Sequence, residues 1–354
     1  MTDNLRQRRE DAGSPILQVR GLSLFLPGPD GTENQILNDV SFDLGRGQAV
    51  GIIGESGSGK SMTALSILQL LPDGARTEGQ ILFDGVDLLR LPRSGLAKIR
   101  GNRISMIFQD PMTALDPVFT VGHQIVQVLR THRRCSQRTA REQAIAMLDA
   151  VGIPDPKRRF GEYPYQLSGG MQQRVMIAMA LVCESELLIA DEPTTAVDIT
   201  IQAQLLDLLQ RINRDFGLAV VFITHDIGVV AEFCQNVIVM YSGQVLEESG
   251  VDDLLDHPLH PYTSALLRAV PAVTASPGRL YAIPGRVPMT SQVLPGCRFL
   301  DRCEHARPEC GARPQDLAEA DHAGSRRVRC GRAALLQLPG TQAMSVPDVR
   351  GERA

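Results

Sequence analysis

The sequence predicts an α/β fold, and three observations carry that reading. Gln48-Ala49-Val50-Gly51-Ile52-Ile53 is a short apolar run with the character of a buried strand. It leads directly into Gly54-Glu55-Ser56-Gly57-Ser58-Gly59-Lys60-Ser61, which follows the pattern G-x-x-x-x-G-K-[ST], and Met62 to Leu71 then carries apolar residues at helical spacing. Three further apolar runs, Ile104 to Phe108, Leu187 to Ala190 and Ala219 to Thr224, each end at polar residues, the place where parallel sheets in α/β folds hold their ligands.

The chemistry of the glycine-rich stretch follows from its residue types. Glycines let successive backbone N–H groups turn inward and cradle phosphate oxygens. The helix beginning near Lys60 aims its positive end at the same anion. Lys60 suits the β- and γ-phosphates as a point charge, and Ser61 suits Mg²⁺ through its hydroxyl. The bland alternative is a glycine-rich turn with an exposed lysine.

Size and charge narrow the class. The 354 residues suffice for one large α/β domain with an appendage, or for two domains. At 43% hydrophobic residues, a core forms only if most of the chain folds. The formal net charge of -4 gives no electrostatic case for nucleic acid. No apolar run reaches the roughly 18 residues needed to cross a bilayer. The polar N-terminus, Asn4 to Asp11, lacks a signal-peptide core. These features point to a cytoplasmic protein whose seven cysteines stay reduced and whose membrane association, if any, comes through partners.

Taken in order, residues 1–15 read as a disordered tail. Ile16 to Leu26 and Ile36 to Leu44 read as strands on either side of a Pro27-Gly28-Pro29-Asp30-Gly31 turn, with Phe25 either stacking on a base or packing in the core. Gly79 to Gly85 is a strand and turn. Gln109, before Pro111, either ends its strand or contacts metal and attacking water. From Asp116 to about Gly161 the pattern is helical and charged, and the basic run Thr131 to Arg141 suits a solvated face. Leu167-Ser168-Gly169-Gly170-Met171-Gln172-Gln173-Arg174 precedes an apolar helix from Val175 to Val182, so Ser168 is either an ordinary N-cap or part of an anion-accepting helix end. The strand from Leu187 ends in Asp191 and Glu192. A buried apolar strand rarely ends in adjacent acids without a cation nearby, and the pair suits Mg²⁺ and a general base respectively. His225 closes the last of these strands and suits a γ-phosphate contact.

Together these residues resemble the ATPase subunit of an ATP-binding cassette transporter over roughly residues 16–340. Phe108-Gln109-Asp110-Pro111-Met112-Thr113-Ala114-Leu115-Asp116-Pro117, and the run from Asp191-Glu192-Pro193-Thr194-Thr195 through Val197-Asp198 to Gln204, resemble the oligopeptide/dipeptide importers. The Thr194-Thr195 pair resembles the D-type ATPase of those systems. Val197 stands where leucine is usual. The resemblance implies a P-loop NTPase cassette with a mixed sheet, an inserted helical subdomain at about 116–166 and a small C-terminal cysteine-bearing appendage. It divides the chain into a nucleotide-binding domain at 16–260, an oligopeptide/dipeptide transporter C-terminal region at 261–340 and a disordered tail at 341–354.

The resemblance also implies roles. Gly54, Glu55, Ser56, Gly57, Ser58, Gly59, Lys60, Ser61 and Met62 hold ATP, and Ser61, Gln109 and Asp191 hold Mg²⁺. Glu192, His225 and Gln109 serve hydrolysis. Ser168, Gly169 and Gly170 close over ATP held by an opposing subunit, and Asp198 lies at that interface. The implied partners are a second, homologous or identical ATPase subunit, two transmembrane permease subunits and, through them, an extracytoplasmic solute-binding protein. Nucleic acid is not among them. The implied place is the cytoplasmic face of the cell membrane, as a peripheral subunit. The implied function is ATP hydrolysis coupled to uptake of peptides or a similar small solute. The alternatives are a soluble ATPase of this type in DNA repair or translation, and an importer ATPase for nickel or another non-peptide solute.

Four cysteines, Cys297, Cys303, Cys310 and Cys330, fall in the C-terminal region with the spacing C-x₅-C-x₆-C-x₁₉-C. Four thiolates suit zinc or an iron–sulfur cluster. Structural zinc usually takes a tight C-x₂₋₄-C pair, which is absent, so a [4Fe–4S] cluster is the expectation, as in some importers the chain resembles. Zinc and four reduced thiols are the alternatives. Arg298, Arg302 and Arg329 are available to offset thiolate charge.

Overall fold

The structure, a computed structural model, describes residues 14–28, 31–108, 114–194, 199–270, 281–288, 296–312, 314–320, 325–333, 336 and 338. The two expected tails, Gln109 and Asp198 lie outside the described residues, apart from Ser14 and Pro15. In chain order the strands are β1 (Leu17–Pro27), β2 (Glu33–Leu44), β3 (Ala49–Ile53), β4 (Arg76–Phe83), β5 (Val86–Asp87), β6 (Ile104–Ile107), β7 (Leu187–Asp191), β8 (Ala219–Ile223), β9 (Asn236–Tyr241), β10 (Gln244–Gly250), β11 (Ala318–Glu319) and β12 (Arg327–Val328). The helices are α1 (Lys60–Ile67), α2 (Arg93–Ile99), α3 (Val121–His132), α4 (Gln137–Ala150), α5 (Pro156–Arg159), α6 (Gly169–Leu181), α7 (Ile199–Phe216), α8 (Ile227–Phe233), α9 (Val251–Asp256), α10 (Pro261–Ala269) and α11 (Pro308–Ala312). Among the described residues no helix is long and apolar enough to cross a membrane.

The chain forms two compact units. One comprises Leu17–Asp43, Ala49–Leu89 and Thr224–Ala354; the other comprises Leu44–Gln48 and Arg90–Ile223 with the N-terminal residues to Ile16. In the first, β2, β1, β4 and β5 form a sheet in that order, with β1 antiparallel to β4 and β4 to β5. The same unit pairs β3 parallel with β9, β9 antiparallel with β10, and β10 antiparallel with β12, so its sheet is mixed. Every residue of β3 is buried, which is why the strand reads as a continuous apolar run and not as an alternation. The C-terminal segment is tied in by β12, where Arg327 pairs with Glu248, and by Arg329, whose Nη2 donates to Asp39 Oδ2 at 3.1 Å. Helix α1 stops at Ile67, short of the apolar pattern that continues to Leu71. Gln69 takes a left-handed conformation (φ 52), which no helix can continue through.

In the second unit β6, β7 and β8 run parallel, and β7 and β8 are buried along their whole length. Helix α3 is capped by Thr120, which accepts from His123 N, and buries Val121, Ile125 and Leu129, a stripe at the helical repeat. Helix α4 is capped by Ser136 and buries Ala140, Ala144 and Leu148 at the same spacing. The basic run between them is solvated, as at Arg134 and Arg138, with Arg138 pairing Glu142 one turn on at 3.0 Å.

Candidate nucleotide site and cysteine cavity

The glycine-rich loop joins β3 to α1. Gly54 has φ 150, and a Cβ there would strike the carbonyl oxygen of Met240. Gly59, the N-cap of α1, is left-handed (φ 102). Both positions therefore demand glycine for backbone reasons. Lys60 is 6% exposed and its Nζ reaches back across the loop, donating to Gly54 O at 2.8 Å, Glu55 O at 3.0 Å and Ser58 Oγ at 3.4 Å. A buried ammonium needs such partners, and these carbonyls hold it at the centre of the loop. Ser58 is fully buried and its carbonyl accepts from Gly243 N at 2.9 Å, which fixes the loop against the turn between β9 and β10.

The loop has a second clamp that the motif does not announce. Arg302 donates to both carboxylate oxygens of Glu55, at 2.7 and 3.0 Å, and to Tyr241 Oη at 3.3 Å. Glu55 holds the guanidinium above its ordinary pKa. The backbone N–H of Glu55 donates to Tyr262 Oη at 2.9 Å. Tyr241, Tyr262 and Phe299 pack edge to face around this point, with ring centroids 4.7 to 5.3 Å apart. Arg302 and Glu55 stand 247 positions apart, and a variable position of the motif gives no hint of its partner. His225 is exposed at the end of the same unit's Thr224, beside Asp226, whose Oδ1 accepts from Gly228 N at 2.8 Å and caps α8. Phe25 has the Arg76 guanidinium 4.0 Å over its ring, so one of its faces is covered from within the protein.

In the other unit, Asp191 ends β7 and is 5% exposed. Glu192 follows in a left-handed conformation (φ 47), held by its N–H donating to Ile223 O at 2.9 Å. Ser168 occupies the N-cap position of α6, yet its side chain makes no capping hydrogen bond, and Ser168 and Gly169 are exposed. The hydroxyl is thus not an ordinary cap. Gln173, 1% exposed on α6, donates to Pro193 O and ties this helix to the turn that follows Glu192. Sequence reading had assigned Gln173 no role, because its partner is a backbone carbonyl with no side-chain signature.

Cys297, Cys303, Cys310 and Cys330 line one small cavity, together with His260, Pro261, Leu300, His305, Ala306, Arg332 and Leu336. The turn geometry brings them there: Cys297 N donates to Cys310 O at 2.8 Å, and Cys303 N to Leu300 O at 3.2 Å. Burial pushes the Cys297 thiol up to about 11, with the three other thiols adding to the rise. Burial also raises Cys303 and Cys330. Among the described residues no three His, Cys, Asp or Glu side chains stand close enough to hold one metal ion. Two of the three expected charge-offsetting arginines are committed elsewhere, Arg302 to Glu55 and Arg329 to Asp39. Arg298 donates to Ser242 O and keeps a buried Nη2 without a partner.

Comparison with known proteins decides the family. A family profile described as ABC transporter matches residues 37–195, and one described as oligopeptide/dipeptide transporter, C-terminal region, matches 246–310. The oligopeptide transport ATP-binding protein OppD of Haemophilus influenzae is 45% identical over 302 residues, 85% of this chain and 93% of that protein. The chain belongs to the oligopeptide/dipeptide branch of the ATP-binding cassette transporter ATPases. A probable peptide ABC transporter ATP-binding protein of Sinorhizobium fredii is 49% identical over 318 residues, 89% of this cassette ATPase and 95% of that protein. A bacterial ABC transporter cassette solved as a dimer, MJ0796, superposes with a TM-score of 0.60 at 30% identity, covering 66% of this chain and 98% of that one. The C-terminal match takes in β10, α10 and three of the four cavity cysteines of this cassette ATPase.

Proposed function

We propose that this cassette ATPase is the ATP-hydrolysing subunit of a peptide importer, bound peripherally to the cytoplasmic face of a membrane through two permease subunits and served by an extracytoplasmic binding protein. The observation that carries the reading is the similarity to OppD over 85% of the chain, C-terminal region included. The relatives bear peptide-transport names, which favours this over a role in DNA repair or translation.

In this reading Gly54, Glu55, Ser56, Gly57, Ser58, Gly59 and Met62 shape the phosphate cradle, and Lys60 neutralises phosphate charge. Asp191, a buried carboxylate at a strand end, has the donor chemistry that Mg²⁺ needs, with Ser61 and Gln109 as further oxygen ligands. Bound Mg²⁺ supplies charge neutralisation to the phosphates. Glu192 accepts the proton of the attacking water, and His225 contacts the γ-phosphate. Ser168, Gly169 and Gly170 present N–H groups and a hydroxyl to the nucleotide of a second ATPase subunit, with Asp198 at that interface.

The test is uptake of a labelled peptide by vesicles holding the reconstituted importer. Glu192→Gln should retain ATP binding and lose about 10²–10⁴-fold in hydrolysis, with uptake falling in step. Near-normal hydrolysis would remove Glu192 from its role. Normal ATPase activity with no peptide among the transported solutes would overturn the importer reading.

Cys297, Cys303, Cys310 and Cys330 are proposed to hold a [4Fe–4S] cluster. Their gathering on one cavity supports it, and so does the donor set, four thiols beside His260 and His305 with no carboxylate. A [4Fe–4S] core takes one thiolate at each iron, which matches four cysteines drawn from separate turns. Such a cluster acts as a cross-link in a region with little core of its own. Anaerobically purified protein should contain iron and acid-labile sulfide, and Cys303→Ser with Cys330→Ser should lose both. Colourless protein with stoichiometric zinc, or with four reactive thiols, would overturn the cluster.

A further inference from the structure

The residue that caps α10 lines the cysteine cavity with a hydrogen-bond donor that no described residue receives. His260 is 1% exposed and lines the cavity beside all four cysteines. Its position is fixed from two sides. Its backbone N–H donates to Glu247 Oε2 at 2.8 Å, and its Nδ1 accepts the N–H of Tyr262 at 3.0 Å as the helix N-cap. An Nδ1 that accepts an N–H carries no proton itself, so the proton of the ring is on Nε2. That Nε2–H is buried and has no hydrogen-bond partner among the described residues.

An unpaired buried donor is uncommon in a folded protein and calls for an explanation. An N-cap alone does not supply one, because serine caps a helix with a single hydroxyl and buries no second polar atom. The rest of the cavity wall offers little to accept the bond. Pro261, Leu300, Ala306 and Leu336 are apolar there, and Arg332 is itself a donor, bonded to His305 O at 2.8 Å. The groups of matching chemistry in the wall are the cysteine sulfurs, with whatever they hold, and the His305 ring, which the test below separates.

We infer that His260 donates an Nε2–H···S hydrogen bond to the iron–sulfur cluster carried by Cys297, Cys303, Cys310 and Cys330, and is the positioning residue that sets the cluster's reduction potential. The inference rests on the cluster reading above. A hydrogen bond to a cluster sulfur draws off negative charge, which stabilises the more negative, reduced form and raises the potential. The lock of Nδ1 onto the helix keeps the ring in the tautomer and orientation that make the donation possible.

The test uses the full-length chain, purified anaerobically. His260→Ser keeps a hydroxyl cap for Tyr262 N–H and removes the ring Nε2–H at the cavity. Iron and sulfide content and binding of a fluorescent ATP analogue should match the unmodified protein. The reduction equilibrium, followed by electron paramagnetic resonance during a redox titration, should shift about tenfold toward the oxidised form, ~59 mV for a one-electron couple. A measurement on the unmodified chain guards against a variant that fails to fold. With histidine rings labelled with ¹⁵N, the reduced cluster should show a coupled ring nitrogen that persists in His305→Asn. A fully loaded His260→Ser with unchanged potential, or a loaded natural chain with no coupled ring nitrogen, would overturn the role of His260 and leave the cluster standing. Absence of iron and sulfide from the unmodified chain would overturn the cluster and the inference together.

Discussion

Glu192 and Arg302 illustrate how single residues here are held by contacts that their own types do not reveal. Glu192 sits in the left-handed region, where a non-glycine residue is strained, and the strain is sustained by its N–H bond to Ile223 O. Such strain clusters where a side chain must be aimed, which suits the base role proposed for it. Arg302 is 7% exposed and makes a two-pronged bond to Glu55 in the phosphate loop. A planar fork is required for that geometry, so Arg302→Lys is not conservative. It should cost about 1–3 kcal/mol of stability, the worth of charged hydrogen bonds left unmade, and should weaken ATP binding by loosening Glu55. Denaturant titration and nucleotide affinity of the purified chain check this. Unchanged values in both would mean that Arg302 merely fills space.

At the scale of elements, α6 is the clearest case of a helix end built for something outside itself. Its N-cap serine is exposed and does not cap, its first residue, Gly169, has open space where a side chain would stand, and Gln173 ties the helix to Pro193. A helix N-terminus presents unsatisfied N–H groups, and here nothing from Ser168 quenches them. Ser168→Arg therefore adds bulk and charge at this exposed end and leaves the helix itself intact. ATP binding to the isolated chain should be unchanged, while hydrolysis by the assembled importer should fall at least tenfold. Full activity of the assembled variant would show that this end meets no nucleotide.

For the whole molecule, the motifs are distributed between the two units: the phosphate loop and His225 in one, α6 with Asp191 and Glu192 in the other. The proposed function adds a second subunit, whose nucleotide the N-terminus of α6 would meet. The purified chain should accordingly hydrolyse ATP weakly, with specific activity rising with protein concentration and rising further with permease subunits present. Specific activity independent of both would indicate a self-sufficient ATPase. The C-terminal region contributes to the loop-bearing unit through β12, Arg329 and Arg302, so the cysteine cavity and the phosphate loop share one hydrogen-bonded framework.

What the sequence determined by itself was whatever local chemistry dictates. Gly54 and Gly59 are legible because only glycine tolerates those backbone conformations, and β3, β7 and β8 because a strand buried on both faces must be apolar throughout. The basic run around Arg138 declared itself solvated for the same kind of reason. The tertiary structure alone decided matters that depend on distant residues meeting. It ended α1 at Ile67 through Gln69, laid Arg76 over Phe25, joined Arg302 to Glu55, and gathered four widely spaced cysteines and the buried His260 on one cavity. None of these leaves a mark on neighbouring positions. A hydrogen bond or a shared cavity between remote segments is fixed by the packing of the sheets and helices that carry them, and that packing is a property of the whole chain.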